Sequence, residues 1–336
     1  QFYKNALDAV SANDSLHFTP RQFYYLLNER RAKAKDPLKK LGAVMLGIGG
    51  FLSIPLFITA IKTGLAWPLL LSMLTAIAGG VLLASPARRW LRQGKPRDLL
   101  ITSFEFDGWL ARWTSINGGL SRLLKAPALT ARPARVSEEL TAYSFDRAVI
   151  CQHDTIAQFL IANNFHFEHN CAVLSLNKYP RNLFDTVMAM LRRNPSLSVY
   201  TLHDASVEGV RMTHQLTQDP EWFGGMPGVR FFDLGLTPRQ VIGKAMYVRQ
   251  DARATAGAIE QLPAAVRAGL DEKEIEWLRG QHCVELESIL PQRLLQIITI
   301  GIARSRDPRA GDSLTTLDYT TDSYSSVHVY SSDSFG

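Results

Sequence analysis

Between Arg147 and Met212 three short apolar runs each end in a cluster of polar residues, with helical stretches between them. Val149-Ile150-Cys151 precedes Gln152-His153-Asp154, Cys171–Leu176 precedes Asn177-Lys178-Tyr179-Pro180, and Leu197–Leu202 precedes His203-Asp204-Ala205-Ser206. Short β-rich runs alternating with helical segments predict parallel βαβ units. In an open parallel sheet ligands bind outside the carboxyl ends of the strands. All three polar clusters are therefore expected on one edge, and any chemistry with them. A fourth strand is expected over Val229–Leu234, and a helix from Thr237-Pro238.

Two long apolar runs stand upstream, Leu41–Ile61 and Leu65–Ala84, separated by Lys62-Thr63-Gly64. Each is long enough, at 1.5 Å per residue, to cross a hydrocarbon core of ~30 Å. Together they predict a transmembrane helical hairpin. Arg30, Arg31, Lys33, Lys35, Lys39 and Lys40 lie before it, and Arg88, Arg89, Arg92, Lys95 and Arg97 after it, with Lys62 alone in the turn. The positive-inside rule then puts both termini in the cytoplasm, in a two-span protein of the cytoplasmic membrane. The lipid bilayer is one expected partner. Glycines at 47, 49, 50, 79 and 80 suit helix packing within the hairpin or between copies of the chain. The net charge of +6 is modest, and much of the basic excess flanks these runs, so it does not argue for nucleic-acid binding. Three cysteines show neither metal-ligand spacing nor a disulfide framework.

Ahead of the hairpin, Thr19-Pro20 reads as an N-cap and first-turn proline opening a helix to about Ala34. After it, Trp109 and Trp113 share one face of an amphipathic helix, and Pro127–Arg135 reads as a linker. Gln250–Cys283 reads as mostly helical and Glu285–Ile302 as a long final helix, on which Glu285 and Glu287 would point to different sides.

The order of the polar clusters resembles the Toprim domain of DNA topoisomerase VI A subunits and the related meiotic double-strand-break proteins. In that family a Glu-Lys pair ends the first strand, a Gly-Lys-Gly-Tyr-Pro turn follows the second, and Asp-x-Asp-Pro-x-Gly follows the third. Gln152-His153, Asn177-Lys178-Tyr179-Pro180 and Asp204-Ala205-Ser206-Val207-Glu208-Gly209 occupy those places. Leu234-Gly235-Leu236-Thr237-Pro238 is similar to a later Leu-Gly-Leu-x-Pro segment, and Val284–Ile289 to a late Glu-x-(Asp/Glu)-Ala-Leu segment. Arg21-Gln22-Phe23-Tyr24-Tyr25 is similar to the Arg-x-x-Tyr-Tyr context of the family's catalytic tyrosine, with Tyr25 at the nucleophile-like position. The resemblance spans roughly residues 145–300 and implies an α/β fold with a parallel sheet flanked by helices. The division it suggests is an N-terminal helical segment (1–40), the hairpin (41–84), a helical connector and linker (85–140), a Toprim-like domain (141–305) and a disordered Ser/Thr/Tyr-rich tail (306–336).

In the family the Glu and both Asp residues hold Mg²⁺, a hard cation that takes oxygen ligands. Here Gln152 and Ser206 replace two of the three, leaving Asp204. Asp154 and Glu208 are alternative ligands for a rebuilt site. Two functions follow. One is a membrane-anchored scaffold on a catalytically degenerate domain, without cofactor, holding nucleic acid or a protein partner. Lys178, Arg181, Arg192 and Arg193 would then be the phosphate contacts. The other is an active metal-dependent DNA nuclease or transesterase using Mg²⁺ or Mn²⁺ at a rearranged site around Asp204, with Tyr25 as nucleophile.

Overall fold

A computed structural model describes residues 1–34, 41–48, 51, 55, 58, 67–83, 96–127, 145–251 and 257–305. Its centre is a four-stranded sheet made of β1 (Arg147–Cys151), β2 (Ala172–Ser175), β3 (Ser198–Leu202) and β4 (Arg230–Asp233). The spatial order is β2-β1-β3-β4 and every pairing is parallel. The chain leaves β1 for β2 on one side, then returns across β1 to place β3 on the other. The carboxyl ends of β1 and β3 therefore flank the point where the winding direction reverses, which is where an open parallel sheet leaves a crevice.

Side-chain alternation along the strands splits the core into two layers. Val149, Cys151, Val173, Tyr200 and Leu202 face α5 (Asp154–Ala162) and α12 (Pro291–Arg304). Ala148, Ile150, Ala172, Leu174 and Val199 face α7 (Phe184–Leu191) and α8 (Val207–Gln218). Cys151 and Cys171 lie in the first layer as buried free thiols, and burial pushes Cys171 up to about 12. They act as small apolar side chains. The short helix α6 (Phe165–Glu168) links α5 to β2.

The N-terminal helices form a third, aromatic layer. Helix α1 (Phe2–Val10) and α2 (Pro20–Ala34) pack with α4 (Ser103–Asn117) around Phe23, Tyr24, Tyr25 and Phe106. The expected start of α2 is present as a reciprocal cap: Thr19 Oγ1 accepts from Gln22 N at 3.1 Å, and Gln22 Oε1 accepts from Thr19 N at 2.9 Å. Asn28 then ties α2 to the chain before α4, its Oδ1 accepting from the amides of Leu100 and Ile101 at 2.8 and 2.9 Å. Trp113 is core-facing and stacks on Tyr3 with ring centroids 4.7 Å apart, whereas Trp109 lies beneath the Arg31 guanidinium at the surface.

The transmembrane hairpin is not borne out. Among the described residues no helix is long and apolar enough to cross a membrane. Helix α3 covers Trp67–Leu83, 17 residues, or about 25 Å at 1.5 Å per residue, short of a ~30 Å hydrocarbon core. In the first run continuous helix is described at residues 41–48, and the Lys62-Thr63-Gly64 turn lies outside the described residues. A run of apolar letters measures hydropathy and does not by itself fix the length of a helix. The two-span topology, its membrane location and the orientation of its termini fall with it. The linker from residue 128 onward and the 306–336 tail lie outside the described residues.

Downstream of β4 the chain is less helical than its composition suggests. Helices α9 (Pro238–Val241), α10 (Ala264–Ala268) and α11 (Glu272–Arg279) are short, and β5 (Arg249–Gln250) pairs antiparallel with β6 (His282–Cys283). Beyond β6 the chain stays extended, with Val284 bridging Ala205, turns once through a 3₁₀ segment at Leu286–Ser288, and enters α12 only at Pro291. Glu285 and Glu287 are therefore not on one α-helix.

Candidate functional site

The strand-end crevice is a cleft of about 630 Å³. Its sheet side carries Gln152, His153, Asp154, Asn177, Asp204, Ser206 and Glu208, and its far wall carries Thr19, Arg21, Arg249, Glu285 and Glu287. The metal-position residues expected from the resemblance are thus brought together with the N-terminal helix and the segment after β6.

Hydrogen bonding decides what these residues do. Gln152 Oε1 accepts from the Asp204 amide at 2.9 Å, and its Nε2 donates to Glu208 Oε2 at 3.4 Å. Asp204 Oδ1 accepts from the Leu286 amide at 2.7 Å, while Oδ2 lies 2.9 Å from His153 Nε2. Both carboxylate oxygens of Asp204 are engaged by protein groups. Ser206 caps α8, its Oγ accepting from Gly209 N at 3.1 Å. Asp154 accepts from the Ser175 hydroxyl, and Glu208 sits at the exposed rim. Among the described residues no three His, Cys, Asp or Glu side chains are grouped to hold a metal ion. The donor set does not fit Mg²⁺ or Mn²⁺, which need several oxygens converging on one point.

Beneath Asp204, His203 is fully buried between acceptors. Its Nδ1 is 2.9 Å from the Asp204 carbonyl and its Nε2 is 2.9 Å from Asp233 Oδ1. A carbonyl and a carboxylate only accept, so both ring nitrogens donate and the imidazole is charged. Burial alone lowers its pKa, but the Asp233 charge and hydrogen bond outweigh that and the net shift is upward. Asp233, whose side chain is open to solvent on its other side, is held below the ordinary carboxylate range by the His203 charge and hydrogen bond. Gly235 lies flat against this ring.

Tyr25 reaches the cleft wall from α2. Its hydroxyl donates to Glu285 Oε2 at 2.7 Å, and Arg249 Nη1 donates to Glu285 Oε1 at 2.6 Å. Arg21 adds a second cationic contact at 3.4 Å. Tyr25 is 2 % exposed, and burial, reinforced by the Glu285 charge, pushes its hydroxyl well above the usual phenol range. It is locked as a neutral donor.

Sequence reasoning missed the way Glu285 and Glu287 turn into the same cleft. The signal was present: Val284 and Leu286 alternate with the two acids, and period two places alternate side chains on one side of an extended chain. Glu287 is the unusual group. It is 9 % exposed, and its Oε1 has no hydrogen-bond partner. Burial pushes it up to about 7, with Glu285 and Asp204 adding to the rise while Thr19 and His153 oppose it. An acid raised this way stabilises the fold fully below its ordinary pKa of 4.5 and loses that contribution as pH rises through about 7. The loss amounts to roughly 3 kcal/mol. Urea unfolding at pH 5 and pH 8 should show this: Glu287→Gln narrows the stability gap between the two pH values by about 2–3 kcal/mol relative to the parent chain.

The expected phosphate contacts lie elsewhere. Lys178 Nζ binds Glu221 Oε1 at 3.0 Å, and Arg192 donates to the Pro220 and Glu221 carbonyls at 3.0 and 2.7 Å. Arg181 and Arg193 are exposed, and none of the four lines the cleft. Among the described residues Asp154, Asp204, Glu208, Asp251, Glu285 and Glu287 line it against Arg21, Lys125 and Arg249, six acids to three permanent cations. No family model, curated protein or solved structure matches the chain. Its function is read from these side chains.

Proposed function

We propose that the chain is a non-catalytic docking module on a Toprim-like core, which holds a protein partner at the strand-end cleft. Support for the Toprim-like reading comes from the parallel sheet and from the order of polar clusters at its carboxyl edge. The observation that carries the non-catalytic reading is the engagement of both Asp204 oxygens, one by the Leu286 amide and one by His153. The acid that a Toprim enzyme would spend on metal here fastens the segment after β6 to the sheet. A protein partner is favoured over nucleic acid because the cleft is lined by more acids than bases, which repels a phosphate backbone.

One observation favours a second reading. The buried Tyr25 hydroxyl donates to Glu285, which lines the same cleft as Asp204, so a tyrosine stands directly behind the wall where a DNA-breaking transesterase would need one. The full chain, incubated with supercoiled DNA and Mn²⁺, separates the two. Under the docking reading it yields neither nicked DNA nor a covalent protein–DNA product, and Tyr25→Phe lowers stability by about 2 kcal/mol through loss of one hydrogen bond to a charged group. A covalent product that disappears in Tyr25→Phe would establish the transesterase instead.

A further inference from the structure

Resting on the docking reading, we infer that the cleft receives a cationic segment of its partner, with a lysine or arginine side chain seated at the Glu287 carboxyl. Three observations converge on this. Glu287 Oε1 is buried without a partner on the cleft wall, so a donor is missing there. The neighbouring acids cannot supply one, and Glu285 is already saturated by Tyr25, Arg249 and Arg21. The cleft is acid-rich although the chain as a whole carries a formal charge of +6, so its local sign opposes that of the molecule.

The chemistry of the seat is specific. An alkylammonium or guanidinium carries donors and no acceptor, which matches an unpartnered carboxylate oxygen. Both groups tolerate a site with a single open acceptor, since their remaining donors can be satisfied by water in the open part of the cleft. An aliphatic side chain would leave the oxygen unpaired, a neutral donor would pair with it without countering the surrounding negative charge, and an acidic one would add like charge in a confined space. The overall positive charge also makes the assignment testable, because it disfavours indiscriminate adhesion of basic peptides elsewhere on the surface.

The experiment is fluorescence anisotropy of the full chain with three labelled hexapeptides: alternating Arg-Lys, alternating Ser-Gly and alternating Glu-Asp. The basic peptide should bind at least about tenfold more tightly than the other two. Glu287→Gln should weaken it by about tenfold. Glu208→Gln, at the exposed rim, gives a smaller loss and decides the matter if the buried variant does not fold. Glu260→Gln removes the same charge from a surface pair with Arg279, outside the cleft, and should leave affinity unchanged. Equal binding of the neutral or acidic peptide would overturn the cationic assignment while leaving docking intact. So would losses in Glu287→Gln and Glu208→Gln no larger than in Glu260→Gln. Failure of all three peptides to bind would sink the docking reading itself, and direct binding of labelled duplex DNA, in the absence of peptide, more tightly than the basic peptide would replace a protein partner with nucleic acid.

Discussion

Gly209→Ala should cost about 3 kcal/mol or more of folding stability, at the upper end of what overpacking inflicts. Gly209 is the third residue of α8, and its amide is held by the Ser206 cap. A Cβ there would overlap the Asp204 carbonyl oxygen and sit 2.7 Å from His203 Nδ1. Neither neighbour can yield. The carbonyl is backbone and accepts from His203, while the ring is pinned at its other nitrogen by Asp233. Gly235→Ala presses on the same ring, its Cβ 2.6 Å from Nε2. It should destabilise by about 2 kcal/mol, the smaller value reflecting a side-chain rather than a backbone obstacle. Urea denaturation reads both: a lower midpoint at unchanged slope is expected, since the unfolded chain is not altered in compactness.

Asp204→Ala should cost about 3 kcal/mol, and Asp204→Asn should recover most of that loss. The alanine leaves the buried Leu286 amide without an acceptor, which costs ~1–3 kcal/mol, and removes the hydrogen bond to His153 as well. The asparagine keeps a carbonyl oxygen for the amide. A metal-ligand role predicts a different pattern, because an amide cannot neutralise a divalent charge and both variants would lose Mn²⁺ affinity alike. Unfolding curves of the two variants, beside calorimetric titration with Mn²⁺, discriminate. A stability split without any Mn²⁺ binding by the parent chain fits a structural aspartate; equal stability with lost Mn²⁺ binding would restore the catalytic one.

How much of this was legible depends on the range of the interactions concerned. The strands were visible because apolar runs bounded by polar clusters report burial on both faces of a parallel sheet, a local signal. The expected Leu197–Leu202 run became β3 at Ser198–Leu202, and Val229–Leu234 became β4 at Arg230–Asp233. The α2 cap was legible for the same reason: Thr19 and Gln22 satisfy each other across three residues. The hairpin failed because hydropathy alone does not fix helix length. The far wall of the cleft was illegible because its contacts are distant in sequence. Tyr25 and Glu285 are 260 positions apart, and Asp204 and Leu286 are 82.

The sequence by itself determined the alternation of strands and helices, and hence that Gln152, Asn177 and Asp204 share the carboxyl edge of a parallel sheet. Only the tertiary structure decided what those residues touch. It folded the aromatic helix α2 and the segment after β6 over that edge, bound Asp204 to Leu286 and His153, and turned Glu285 and Glu287 into the cleft. The physical reason is one of partners: an aspartate's role is set by what occupies its two oxygens, and those occupants come from segments that no local pattern places beside it.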